Sequence, residues 1–254
     1  PLNMKWILRF FSRSFLIRMS LFFQPLLRLY YRGSRFVDPI DGSRYRKFLP
    51  YGYGKQLRTN ALCPGTLSLE RHRLLWLYLD RKTTFLKQSL KVLHVAPEQV
   101  FYQKFKQFQH WDYTTTDLYS PLADVVADIC NLPFEDQSFD LILCNHVLEH
   151  ISDDRKAMME LYRVLKKGGT LIAQVPIDEN RQITFEDNSI TDPGKRTKVF
   201  GQYDHLRIYG QDYYQRLASV GFSVERIFLQ EDLTQEEAIR YALPQKEKIP
   251  VMHK

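Results

Sequence analysis

KVLHVAPEQV at residues 91–100, YTTTDLYSPLADVVADICNLPFEDQSFDLILCNHVLEHI at 113–151 and RVLKKGGTLIAQVP at 163–176 decide how this chain folds. Short apolar, β-branched runs (Val92–Val95, Tyr113–Thr116, Val125–Ala127, Leu141–Cys144, Thr170–Val175) alternate there with turn signals and helical segments. That alternation predicts a parallel sheet with helices on its faces. Acids recur where strands give way to loops, at Asp117 and Asp128, with Glu98 just past the first strand. Ligands of such sheets bind outside the carboxyl ends of the strands. Asp153–Lys167 reads as a helix, with Lys166, Lys167 and Gly168 as its C-terminal signals, and a further helix is expected around Asp212–Val220.

The phrases DICNLPFEDQSFDLILCNHVLEHI and ELYRVLKKGGTLIAQVP resemble the core of class I S-adenosylmethionine-dependent methyltransferases of the type 11 kind. The resemblance covers about residues 90–230 and extends more weakly to both ends. It is similar in particular to a bacterial subgroup with HVAPE-like residues after the first strand, an LERHR-like helix before it and an FGQYDH-R-YG-like segment near the end. The resemblance implies a Rossmann-like α/β fold, a mostly parallel seven-stranded sheet with helices on both faces, and S-adenosylmethionine as cofactor. It divides the chain into a basic amphipathic helical arm (1–35), a degenerate zinc-knuckle-like segment (36–66) and a methyltransferase domain (67–254) with a substrate-side insertion at about 177–209.

The cofactor-contacting set is then His94, Ala96, Glu98, Asp117, Leu118, Asp128, Ile129, Asn145 and His146. The first turn, Ala96-Pro97-Glu98-Gln99, has no glycine, so the closest backbone approach to a nucleotide is lost there. Glu98 either meets the cofactor's ammonium group or favours the positive end of the following helix. Asp117 stands 21 residues beyond Ala96, the spacing at which an acid commonly holds a ribose diol. In the resembled family the acid matching Asp128 accepts a bond from the adenine amino group, and the residue matching Ile129 lies near the ring. Asn145 and His146 follow the fourth strand, from which cofactor and substrate contacts are built.

His146-Val147-Leu148-Glu149-His150 also matches H-x-x-E-H, a zinc-peptidase signature. It directly follows a strand, with the next helix starting near Ser152, so too little helix remains for a two-histidine metal face, and no metal is expected. Downstream, Ile177–Tyr209 is a long polar segment rich in titratable groups and aromatics, expected to lie over the acceptor pocket. The candidate catalytic residues are His205 as general base, Arg207 as partner of an anionic acceptor, and His146.

Three scattered cysteines (Cys63, Cys130, Cys144) argue against a disulfide framework and suit a reducing cytoplasm. Of 36 basic residues, seven lie in residues 1–37, which hold no acid, and the remainder carries 29 of each sign. The arm's longest uncharged stretch is Met19–Leu27, too short to span a bilayer, and it lacks the pattern of a secretory signal. Its composition fits an interfacial helix on the inner face of a membrane or a helix docked on the domain. In the resembled subgroup two CxxC pairs occupy the positions of Asp38, Asp41, Cys63 and Thr66. No structural zinc is expected here, and apolar contacts from Phe36, Tyr45, Phe48, Leu49 and Tyr51 are expected to hold that segment. The expected acceptor is a small molecule, lipid or glycan. A non-catalytic scaffold is the alternative, and a nucleic-acid substrate comes third because the core is charge-neutral.

Overall fold

A computed structural model describes residues 23–52, 57–120 and 123–254. Residues 1–22, which hold most of the expected arm, lie outside the described residues. The chain forms two compact units, one of residues 1–86 and 229–247, the other of 87–228 and 248–254. The helix Glu70–Lys82 and residues 229–247 group with the N-terminal segment.

The second unit is built on seven strands: β1 (Leu90–Val95), β2 (Trp111–Asp117), β3 (Val125–Val126), β4 (Phe139–Cys144), β5 (Leu165–Ile172), β6 (Ser223–Ile227) and β7 (Ile249–His253). Their order is β6-β7-β5-β4-β1-β2-β3. The pairs β1–β2, β1–β4, β2–β3 and β4–β5 are parallel, and β7 runs antiparallel to both its neighbours. This is the expected Rossmann-like sheet. Leu93, Val95, Leu141–Cys144, Leu171 and Ile172 are buried, as strands covered on both faces require. Cys144 is a fully buried strand residue whose thiol burial pushes far up, so it behaves as a small hydrophobe.

Helices α1 (Gln99–Phe105), α2 (Asp154–Val164), α3 (Pro193–Phe200) and α4 (Tyr213–Val220) belong to this unit. In α2 the apolar spacing places Ala157, Met158, Leu161 and Val164 in the core, and the Asp153 side chain caps its start by accepting from Lys156 N–H. The helix ends at Val164, before the expected Lys167. Leu165–Lys167 already belong to β5, where Gly168 takes φ +74° beside a register irregularity against β4. The lysine and glycine signals therefore mark a bulged strand rather than a helix end. The insertion 177–209 is an ordered element, with α3 and a two-stranded pairing of Phe185–Glu186 with Arg207–Ile208.

In the first unit, Arg32–Val37 pairs with Arg44–Tyr45 and Leu49–Tyr51 pairs with Arg58–Leu62. Phe36, Tyr45, Phe48 and Cys63 form its small apolar core, whereas Leu49 is only partly buried and Tyr51 is exposed. The buried Asp38 carboxylate accepts from Ile40 N–H, Thr66 Oγ1 and Ser68 Oγ, so the knuckle-like positions Asp38 and Thr66 bond to each other. Burial, reinforced by the charge of Asp38, pushes the Cys63 thiol up to about 12. Arg73 is fully buried, and its guanidinium donates to the carbonyls of Ala61, Ser68, Tyr241 and Ala242.

Candidate active site

The sheet's switch point lies between β1 and β4: the chain leaves β1 to build β2 on one side and returns to place β4 on the other. Such a point opens a crevice at the strands' carboxyl ends. Val95 pairs with Cys144, and the chain leaves both strands through residues of positive φ. Ala96 has φ +48° and donates its N–H to Thr116 O at 2.7 Å; His146 has φ +55° and donates to Gln174 O at 2.7 Å. An L-residue in this left-handed region costs roughly 1–2 kcal/mol. The first turn thus keeps a left-handed backbone, the conformation for which glycine is the default, without a glycine.

Next to it, His94 is fully buried and bridges two groups: Nε2 lies 2.7 Å from Glu98 Oε2, and Nδ1 lies 2.7 Å from Tyr113 Oη. The carboxylate accepts, so Nε2 carries the proton and Nδ1 accepts from the Tyr113 hydroxyl. Burial raises the Tyr113 pKa strongly, which keeps that hydroxyl a donor. His94 thus has both ring nitrogens engaged within the protein. It braces β1 against β2 and holds Glu98, which stands at the N-cap of α1 without capping it.

Asp117 ends β2, and its Oδ1 accepts from Tyr119 N–H and Ser120 N–H, both at 2.6 Å. Its Oδ2 has no hydrogen bond to a described residue. Asp128 Oδ1 accepts from Cys130 N–H at 2.8 Å, and its carboxylate also meets the Cys130 thiol. Leu118 is 45% exposed, an apolar surface suited to an adenosine, while Ile129 is buried in the core. Asn145 is buried; its Oδ1 accepts from Gln174 N–H, and its Nδ2 finds no partner among the described residues. The Thr116 hydroxyl is likewise buried and unsatisfied. Unmet buried polar atoms at Thr116 and Asn145, at the carboxyl ends of β2 and β4, fit a polar, nucleoside-bearing cofactor.

A second group forms beyond β4. Leu148–His150 is a 3-10 turn, so H-x-x-E-H does not set its two histidines on one helix face. Instead His150 meets His205, ring centroids 4.8 Å apart and nearly perpendicular. Leu206 N–H donates to Glu149 O at 2.9 Å, fastening the downstream segment there. Glu149 is buried; burial alone would raise its carboxyl, but the His146 hydrogen bond and the charges of His146 and His150 hold it below the ordinary value. Burial lowers the pKa of His205, which favours the neutral ring.

Arg207 corrects another expectation. Its side chain is 1% exposed, and it donates to the carbonyls of Leu148 (2.8 Å), Ile151 and Ser152 (3.0 Å) and to Glu186 Oε2 (3.0 Å). It is a positioning residue that locks the segment carrying His205 to the turn carrying Glu149 and His150. Arg216, Asp154 and Glu186 complete this network. Nothing local in the sequence marks Arg216, Asp154, Tyr113 or Gln174 as part of these arrangements.

The strand order, the switch point between β1 and β4 and the acids ending β2 and following β3 together define a class I methyltransferase fold. Residues 77–173 match the family described as a methyltransferase domain, and this part of the chain is similar to the class I S-adenosylmethionine-dependent methyltransferases. Among curated relatives, an uncharacterized methyltransferase, YcgJ, of Bacillus subtilis is 50% identical over 42 residues, 16% of this chain and 17% of its own length. The ubiquinone/menaquinone biosynthesis C-methyltransferase UbiE of Xanthomonas campestris pv. campestris is 51% identical over 92 residues, 35% of each chain. The chain thus spans about a third or less of the curated relatives it matches. The crystal structure of the [4+2]-cyclase SpnF is similar in fold, with a TM-score of 0.50 and 16% identity over 92% of this chain and 94% of that one.

Proposed function

We propose that this protein transfers the methyl group of S-adenosylmethionine to a small-molecule, lipid or glycan acceptor. One observation carries the donor side: Asp117 ends β2 with a carboxylate oxygen that no described residue engages, and the buried Asn145 amide at the end of β4 is unsatisfied among the described residues. Asp117 suits the ribose diol and Asp128 an exocyclic amino group. The cofactor supplies an activated methyl: an acceptor lone pair forms the new bond to carbon while the carbon–sulfur bond breaks toward sulfur, leaving S-adenosylhomocysteine. The protein's own contribution is alignment and exclusion of water, with removal of an acceptor proton assigned to the cluster of Glu149, His150 and His205. The left-handed Ala96 turn argues against the scaffold alternative, because the backbone path into the crevice is retained.

Calorimetric titration with S-adenosylmethionine and S-adenosylhomocysteine tests this. One equivalent should bind, and ligand at 100 times its Kd should stabilise by about 2.7 kcal/mol. That corresponds to a melting temperature raised by roughly 5–11 °C for a chain of this size. A folded protein that binds neither ligand at millimolar concentration is a scaffold instead.

The acceptor side is read as a membrane surface. Residues 23–30 form a helix that exposes Phe23, Leu26, Leu29 and Tyr30, next to the exposed Arg32 and Arg35. No helix among the described residues is long and apolar enough to cross a membrane. An exposed apolar face flanked by cations is suited to lie in an anionic interface, where each basic residue contributes about 1 kcal/mol. In flotation with anionic liposomes the full chain should rise with the vesicles and a chain lacking residues 1–32 should not; equal flotation of both removes the membrane reading.

A further inference from the structure

We infer that Glu149, His150 and His205 form a binding site for one divalent transition-metal cation. Their ligand atoms lie within 4.8 Å of one another. Two belong to the 3-10 turn after β4, and the third is brought from 55 positions further along the chain, fastened by the Leu206–Glu149 backbone bond and by Arg207. The inference concerns residues other than those assigned to the cofactor, and it does not rest on the methyltransferase reading.

Three features point to a cation. Glu149 is 2% exposed, and while its Oε1 lies 3.4 Å from His146 Nδ1, its Oε2 is buried without a partner among the described residues. A carboxylate oxygen left bare in the interior is costly, and a metal ion answers that cost directly. Second, His150 Nδ1 lies 3.3 Å from the Asp204 carbonyl, which can only accept, so Nδ1 holds the proton and Nε2 presents its lone pair. A ring nitrogen that donates to a backbone carbonyl is the usual support of a ligating histidine. Third, the donor set is selective: two imidazoles with one carboxylate suit zinc, iron or nickel, whereas magnesium and calcium favour oxygen ligands. Tetrahedral ligands at about 2.1 Å from zinc sit roughly 3.4 Å apart, so the donors must draw inward. Rotation of His150, whose side chain is 31% exposed, allows it.

Three protein ligands leave at least one position for water or an acceptor oxygen, whose proton a bound cation would loosen. In this arrangement His205 would serve as a ligand, and a proton loosened from a coordinated oxygen would leave to solvent.

The test uses the full chain, stripped with chelator and titrated with Zn2+ by calorimetry and with Co2+ by visible absorption, without cofactor. One equivalent should bind, and Co2+ should develop the absorption bands of a low-symmetry nitrogen and oxygen site. Loss of an outer-shell partner commonly weakens metal binding 10–100-fold, so His150→Ala, which removes a ligand, should weaken it by at least about 100-fold. Glu149→Gln should do likewise. His150 is partly exposed, so its variant should keep the wild-type melt, and its S-adenosylmethionine titration reports the cofactor site separately. Absence of saturable binding, or binding unchanged in His150→Ala, overturns the assignment.

Discussion

Arg207→Met should lower the melting temperature by roughly 6–12 °C. The guanidinium is buried, donates to three backbone carbonyls and pairs with Glu186 at 3.0 Å and Asp154 at 3.8 Å. Removing one partner of a buried ion pair costs about 3–5 kcal/mol, mostly because the remaining groups stay buried without their counterpart. The lower end applies here, since Arg216 still meets Asp154 at 3.1 Å and Glu186 at 2.9 Å. About 3 kcal/mol at 2–4 °C per kcal/mol gives the stated range. Arg216→Met alone should cost less, its side chain being more exposed than that of Arg207. The double variant should exceed the sum of the two, because among the described residues the buried Asp154 side chain would then keep the Tyr209 hydroxyl alone. Thermal melts of the four proteins check this. A melt of Arg207→Met within a degree of wild type would remove Arg207 from the packed network and return it to the acceptor pocket.

Asp117→Asn should weaken S-adenosylmethionine binding roughly 10- to 100-fold while leaving the melt of the free protein unchanged. An amide oxygen in place of Oδ1 still accepts from Tyr119 and Ser120, so the loop keeps its two hydrogen bonds. The other position becomes an NH2, which cannot accept from a ribose hydroxyl. A hydrogen bond to a charged group contributes about 1.5–3 kcal/mol, and 1.4 kcal/mol is tenfold in affinity. Asp117→Ala loses loop and ligand contacts together, so comparing the two variants separates positioning from binding. Calorimetry paired with thermal melting reads both quantities. Wild-type affinity in Asp117→Asn would show that the ribose is held elsewhere.

Which residues form β1, β2 and β4, and where the acids stand at their ends, was legible from the chain itself. Runs such as VLHV and LILC are apolar on both faces, and strand formation depends on that local pattern. Asp117 and Asp128 follow strands by a residue or less and by two, and loop chemistry close to a strand is also local. The end of α2 was misread for the complementary reason. Lys166-Lys167-Gly168 would close a helix in isolation, but pairing with β4 draws Leu165 into the sheet. A long-range contact overrode a local signal.

The alternation of strands and helices and the acids at strand ends were written locally in the chain, and the family resemblance of those motifs implied the cofactor class. Only the tertiary structure decided that Ala96 adopts the glycine-like turn, that His94 is spent on Glu98 and Tyr113, and that Arg207 is an internal brace. It alone set His205 beside Glu149 and His150. The physical reason is range: propensity and turn chemistry act over a few residues, whereas a side chain's partner is chosen by the packing of segments far apart in the chain.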